Sequence, residues 1–470
     1  MTNNFEKSLW IPKFGIFGLY DYGAHSYYLR DPEAFKRITT KDFGHFQDHR
    51  VVFSMDEILR NILTQMEGDT WHQMRATLSP TFTGSKMRLM FELITECADR
   101  IVVHLSEKAA SGDRINVEMK DFFTRYTNDV IATCAFGIEV NSFADPDNEF
   151  FASAKRVIKP SLLLTLSKFI IAKCLPRVAR AFDIKVLDTD PFKKIILETM
   201  KIRQKNKISR PDMINTLMQL REEQQTLEEF KVDEKSKEST DELGEKKSSV
   251  PRKWNDNELL AQCFIFFSAG LEPPSTILTF AAYELVSNPE VQQKLYEEIA
   301  EVNRELDGKR ISYEVIQKMK YLDQVINETL RKWPSVLATD RVCVKEYVYD
   351  DGQLNFKIEK GSVVTFSILE LHHNPIYYPN PDKFDPDRFS DENKHKITPG
   401  TFAAFGQGPR SCIGSRFALM EIKVILYNLL LNFTFEANAK TQIPVKLRKI
   451  ELAAKHGVHL ELKPRNISIK

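Results

Sequence analysis

Near the carboxyl end, the stretch Phe405-Gly406-Gln407-Gly408-Pro409-Arg410-Ser411-Cys412-Ile413-Gly414 constrains this chain more than any other segment. Closely spaced glycines let a backbone approach a flat ligand, and inward-turned amides can hydrogen-bond a sulfur. Gly406-x-Gly408 invites a dinucleotide-loop reading, but that fingerprint needs a third glycine at position 411, where this chain has Ser411. A lone cysteine is most often a small buried hydrophobe. In this context Cys412 is instead a candidate metal-ligating thiolate.

Every element of F-G-x-G-x-R-x-C-x-G is present, followed by Arg416-Phe417-Ala418-Leu419-Met420-Glu421 opening an apolar helix. In these residues the chain resembles the cytochrome P450 family, whose haem-binding signature this is. The resemblance implies a mainly α fold with a smaller β part and a haem b (iron protoporphyrin IX) between a long distal helix and the cysteine loop. It makes Cys412 the axial iron ligand, places Phe405 beside the ring and sets Arg410 at an acidic haem edge. A thiolate pushes electron density onto iron and favours O–O cleavage.

A chain of 470 residues could hold about three domains, whereas the resemblance implies one large unit over 1–470. With 42% hydrophobic and 28% charged residues the chain reads as globular, and a net charge of +1 gives no hint of nucleic acid. Its six cysteines (Cys97, Cys134, Cys174, Cys263, Cys343, Cys412) lie far apart without a C-x-x-C pair, which fits a reducing compartment. His372-His373 has no nearby cysteines, so no zinc constellation is expected. Residues 1–10 are polar, and the apolar stretches 161–172, 259–271 and 424–435 fall short of the ~20 residues that span a bilayer. Family members of the endoplasmic reticulum usually begin with a hydrophobic anchor and a proline-rich hinge. Neither is visible here, and the expectation is a chain lacking its amino-terminal anchor.

Residues 20–52 read as short strands plus a helix starting at Asp31-Pro32. From 68 to 299 the pattern is helical, interrupted at Ser111-Gly112-Asp113, near Asp145-Pro146-Asp147, and over 231–253, a run dense in Lys, Glu, Ser and Asp that reads as an exposed connector. Residues 254–287 read as one helix of roughly 45–50 Å, capped by Asn255 or Asp256, stopped at Asn288-Pro289 and buried on most sides. The resemblance places it over the distal haem face. A helical run to Arg331, strand-like segments at 342–349 and 362–368, and a β-like tail around His459-Leu460-Glu461-Leu462 complete the pattern.

Glu328 and Arg331 lie three apart on one helix face, where they can pair. Lys332-Trp333-Pro334 and, about 55 residues on, Phe384-Asp385-Pro386-Asp387-Arg388-Phe389 follow. In the family the matching Glu and two Arg form a buried charge cluster, so the resemblance gives Glu328, Arg331 and Arg388 a structural role. It likewise matches Trp71 and Arg75, Arg341 and Arg410 to partners of the haem propionates.

At the midpoint of the long helix stands Ala269-Gly270-Leu271-Glu272-Pro273-Pro274-Ser275-Thr276. Family members usually have Ala-Gly, any residue, an acid and threonine, the small pair making room for dioxygen and the acid and hydroxyl helping to deliver protons. Ala269, Gly270 and Glu272 are the catalytic candidates. Pro273 occupies the threonine position, and two consecutive prolines should kink the helix. Helical geometry turns Ser275 and Thr276 away from the missing hydroxyl.

Residues 78–86 (Leu78-Ser79-Pro80-Thr81-Phe82-Thr83-Gly84-Ser85-Lys86) and 121–132 look like the insect microsomal branch, most closely insect family nine. That kinship implies NADPH–cytochrome P450 reductase as electron donor, cytochrome b5 as a second partner, the cytoplasmic face of the endoplasmic reticulum membrane, and lipophilic substrates. Substrate contacts are expected from 55–68, 161–176, 266–271 and just after Pro334, and 161–176 could also dip into a membrane surface. The leading expectation is a haem-thiolate monooxygenase inserting one oxygen atom of O2. Pro273 motivates an alternative, an isomerase or dehydratase acting on peroxides. Pro273 and the missing anchor together motivate another, a non-catalytic ligand-sequestering haem protein.

Overall fold

The long apolar run in the middle of the chain forms the helix around which the other elements are arranged. In the computed structural model, residues 16–21, 24–52, 56–109, 114–158, 189–210, 212–219, 253–350, 355–448 and 452–465 are described, with isolated positions between. The principal helices are α1 (Gly68–Leu78), α2 (Gly84–Lys108), α3 (Met119–Phe136), α4 (Asp190–Asn206), α5 (Asp256–Ser287), α6 (Pro289–Leu306), α7 (Lys320–Lys332) and α8 (Ser415–Asn432). The strands are β1 (Ile16–Asp21), β2 (Ala24–Leu29), β3 (Ile115–Glu118), β4 (Ala338–Val342), β5 (Tyr347–Asp350), β6 (Asn355–Ile358), β7 (Val363–Ser367), β8 (Phe433–Ala437) and β9 (His459–Pro464). The fold is mainly α with a smaller β part.

The 32 residues of α5 begin at a capping box in which Asn255 and Glu258 satisfy each other's backbone N–H groups, and they end at Asn288, before Pro289. By length and composition alone α5 could cross a membrane. It packs instead against α3, α7 and α8, which buries the apolar surface that drives folding. The four-stranded sheet has the order β1-β2-β7-β4, with β2 parallel to β7, and a second sheet has the order β3-β9-β8. Asp31 caps the short helix Pro32–Lys36 after β2.

Two local expectations need correction. The strand predicted over 342–349 is two strands in different sheets. Between them Cys343 and Val344 donate to Ser362 and His45, taking the chain out of the first sheet. Within the predicted helical region, Ile115 and Val117 alternate onto one face of β3 and pair with Leu462 and Leu460. The interruption expected near Asp145 is present: it runs over 137–148 and begins at Gly137, whose φ of +58° closes α3 with bonds to Ala132 and Thr133. The single helix expected over 254–287 is α5, which continues through Pro273 and Pro274. Its neighbour α3 braces that segment, with Thr127 donating to the Leu271 carbonyl at 3.0 Å. The charged run 231–253, apart from Lys253, and most of 161–176 lie outside the described residues.

Candidate active site

The Cys412 loop is shaped by two left-handed glycines, Gly406 at φ +72° and Gly408 at φ +71°. At Gly408 any Cβ would overlap the carbonyl oxygen of Thr39, so only glycine fits. The Cys412 N–H donates to the Phe405 carbonyl at 2.8 Å, and Ser411 N–H to the Gly408 carbonyl at 3.0 Å. These bonds fix the loop ahead of α8. Cys412 keeps accessible surface, yet the surrounding chain desolvates it enough to raise its thiol above the ordinary value. Its sulfur therefore lines an enclosed space, and the Gly414 backbone N–H and the Arg75 cation act on it in the opposite direction. A bound metal would stabilise the thiolate there.

Three arginines crowd the same space. Arg341 is buried, its Nη1 donating to the Asp340 carbonyl at 2.6 Å, while its Nε has no hydrogen-bond partner among the described residues. Burial pushes this guanidinium down to about 10. Arg75 on α1 is half-buried with no carboxylate partner among the described residues, and burial lowers its pKa as well, against the pull of Cys412. Arg410 is held by Asp48 at 3.1 Å and by the carbonyls of Gln47, Leu63 and Met66, and it lies 3.9 Å over the ring of Trp71. Burial pushes Arg410 down to about 9, with Arg341 and Arg75 adding like-charge repulsion. An orphaned buried N–H and three mutually repelling cations call for anionic groups between them, which the two carboxylates of a haem edge would supply. The residues present fit the group.

The opposite wall is a stripe of α5. Phe267 and Leu271 are fully buried, whereas Ile265, Phe266, Ser268, Ala269, Glu272 and Pro273 are partly or wholly accessible. In the middle of a core helix, such a stripe marks a cavity wall. Phe82 spans the two walls: its ring stacks on Phe266 at 5.5 Å and lies against Gly414. Ala269 is on the open side. Gly270, also partly accessible, backs onto α3, where a Cβ would come 2.6 Å from Ile131 Cδ1, so its small size serves helix packing there.

Glu272 is turned towards α3. Its Oε1 is 2.8 Å from Lys120 Nζ, while Oε2 has no hydrogen-bond partner among the described residues. Ser275 and Thr276, facing away from the cavity stripe, both accept from the same ammonium at 2.8 Å.

Glu328, Arg331 and Arg388 do meet. Arg331 grips Glu328 with Nε and Nη2 at 2.7 and 2.8 Å, Arg388 reaches it at 3.4 Å, and the Asp385 N–H at 2.9 Å. Desolvation raises the carboxyl's pKa, and the three partners act against that. His372 links this cluster to the cysteine loop: its Nδ1 donates to the Arg331 carbonyl at 3.1 Å and its Nε2 accepts from the Ala403 N–H at 3.0 Å.

Sequence patterns missed Lys120, Asp48 and His372, each of which works by contact between elements remote in sequence. Only His372 carried a signal, as half of a histidine pair dismissed for zinc. No metal-binding group of three His, Cys, Asp or Glu occurs among the described residues.

The family model described as "Cytochrome P450" matches residues 11–462. Probable cytochrome P450 9f2 of Drosophila melanogaster is 42% identical over 466 residues, covering 96% of this chain and 87% of that protein. Cytochrome P450 9e2 of Blattella germanica is 43% identical over 457 residues, covering 93% and 82%, and cytochrome P450 9b2 of Drosophila melanogaster is 40% identical over 422 residues, covering 88% and 78%. With the family matched over nearly its whole length and family-nine relatives this similar, the chain belongs to the cytochrome P450 family, beside its insect family-nine members, and is a haem-dependent monooxygenase.

Proposed function

We propose that this enzyme inserts one oxygen atom of O2 into lipophilic small molecules at a haem b held by Cys412, with electrons from NADPH delivered by a membrane-bound reductase. The observation that carries this reading is the accessible Cys412 sulfur in an enclosed space lined by Arg341, Arg75 and Arg410, the first with an orphaned Nε and the second without a carboxylate partner among the described residues, and faced by the open stripe of α5. Thiolate-ligated haem supplies the chemistry of O–O cleavage. The chain's own part is to bind and to orient. Arg341, Arg75 and Trp71 hold the carboxylate edge, with Arg410 fixed beneath the indole. Ile265, Phe266 and Ala269 present an apolar surface to the substrate and exclude water there. Glu272 would relay the protons that oxygen chemistry consumes, a task in which Pro273, with neither hydroxyl nor N–H, takes no part. Kinship with insect microsomal members favours the cytoplasmic face of the endoplasmic reticulum membrane, with cytochrome b5 as a second partner.

Reconstitution with reductase and NADPH against a panel of lipophilic compounds tests this, with a hydroperoxide assay alongside. Oxygenated product that requires NADPH and O2 is expected. Product formed from a hydroperoxide alone, without reductant or O2, would establish the isomerase reading that Pro273 motivates. Ligand binding without any turnover would establish sequestration.

A further inference from the structure

Lys120 occupies the second position of α3 and reaches across to α5 just after the double proline. Its ammonium contacts Glu272 Oε1, Ser275 Oγ and Thr276 Oγ1, each at 2.8 Å, and the Glu272 carbonyl at 3.4 Å. Residues 272, 275 and 276 lie on one helix face at the spacing of a single turn. The two hydroxyls also bond back to Glu272, Thr276 Oγ1 to Oε1 at 3.3 Å and Ser275 Oγ to the carbonyl at 3.0 Å. One oxygen of the carboxylate is therefore fastened on the α3 side, while Oε2 is a buried atom with no hydrogen-bond partner among the described residues. A buried, unpaired carboxylate oxygen is costly, and it persists where the surroundings hold it for a purpose.

We infer that Lys120 is a positioning residue for Glu272: it anchors Oε1, with Ser275 and Thr276 steadying the clamp, so that Oε2 is the oxygen left to exchange protons. The inference rests on the reading of Glu272 as the proton-holding group. Pro273 gives it weight. With no hydroxyl at that position, nothing on the cavity side of α5 there steadies the carboxylate, and the hydroxyls that do so lie on the Lys120 side. Lysine suits the task because an ammonium has three donors and no acceptor, so it can hold one carboxylate oxygen and two hydroxyl oxygens at once.

The test uses the full chain with haem, reductase and NADPH, and compares wild type with Lys120→Met, Lys120→Arg, Glu272→Gln and the double variant Lys120→Met/Glu272→Gln. Three readouts are taken: product formed per NADPH consumed, the solvent deuterium isotope effect on NADPH-driven turnover, and the reduced carbon-monoxide spectrum. Lys120→Met is expected to keep the wild-type spectrum, lose about tenfold in product per NADPH and show a larger solvent isotope effect, a modest share of what a placed proton carrier contributes. Lys120→Arg should recover to within about twofold, and the double variant should be no worse than Glu272→Gln, since both act through one group. Coupling unchanged in Lys120→Met, or effects that multiply in the double variant, would overturn the inference. If Glu272→Gln itself couples like wild type, the proton reading of Glu272 has failed, and that outcome is distinct from the failure of Lys120 alone. Should Lys120→Met not retain haem, Ser275→Ala/Thr276→Ala loosens the same clamp and carries the same expectations.

Discussion

Behind the Cys412 loop, Glu328 receives four bonds from Arg331, Arg388 and the Asp385 N–H. On α5, across the cavity, two backbone N–H groups are missing at Pro273 and Pro274, and one oxygen of Glu272 has no hydrogen-bond partner among the described residues. The first region is buried and multiply bonded, and its charges have no alternative arrangement. The second is partly open and held by a single ammonium. The difference teaches that this fold concentrates rigidity where a cysteine must be aimed and leaves adaptability where small molecules and protons pass. It also says where substitutions should act: behind the loop on folding, along α5 on the partition of electrons.

The largest effect should come from breaking the buried cluster. Arg331→Ala leaves Glu328 buried without its bidentate partner, a loss of about 3–5 kcal/mol, and the yield of haem-bearing protein should collapse. A variant that folds and holds haem normally would show that the two regions do not differ in this way. Next come the loop glycines. Gly408→Ala must displace Thr39 and adopt a strained φ, costing about 3–5 kcal/mol. Gly406→Ala meets nothing closer than 3.7 Å and carries only the left-handed strain, about 1 kcal/mol. Urea unfolding of the pair separates them, and equal losses would contradict the packing seen at Thr39.

His372 sharpens the comparison through pH. Burial, helped by neighbouring His373 and Arg331, pushes its imidazole down to about 3, whereas in the unfolded chain it titrates near 6.5. Between those values the unfolded chain binds the extra proton. Stability on this account is full above about pH 6.5 and falls as the pH drops towards 3, by about 1.4 kcal/mol per unit. His372→Gln should remove that component, read as the difference between the two proteins' urea midpoints from about pH 7 to about pH 4.5. Parallel curves would mean that His372 does not stay neutral in the fold. The smallest effect on folding should be on α5. Pro273→Thr restores an N–H for the Ala269 carbonyl, so it should leave Tm unchanged or slightly raised, while raising product per NADPH.

Legibility in the sequence follows the same divide. The cysteine loop, the Glu328–Arg331 spacing and the borders of α5 could be read because each depends on residues close in the chain: glycine dihedrals, a pair three apart, an Asn cap and a Pro stop. The packing of Gly270 against Ile131 could not be read because Ile131 lies on another helix. The split at Cys343 was missed because its N–H goes to Ser362 and that of Val344 to His45, and local β propensity does not reveal where a strand changes sheet. Lys120 was invisible for the same reason. Nothing within α3 hints that its second residue will clamp a carboxylate more than 150 positions later.

The most direct test of the whole account is the reduced carbon-monoxide difference spectrum of the wild-type chain beside Cys412→Ser. The wild type should give the long-wavelength band of thiolate-ligated haem, and the variant should lose it. A wild type without that band, or a Cys412→Ser variant that keeps it, would contradict the placing of Cys412 on the iron.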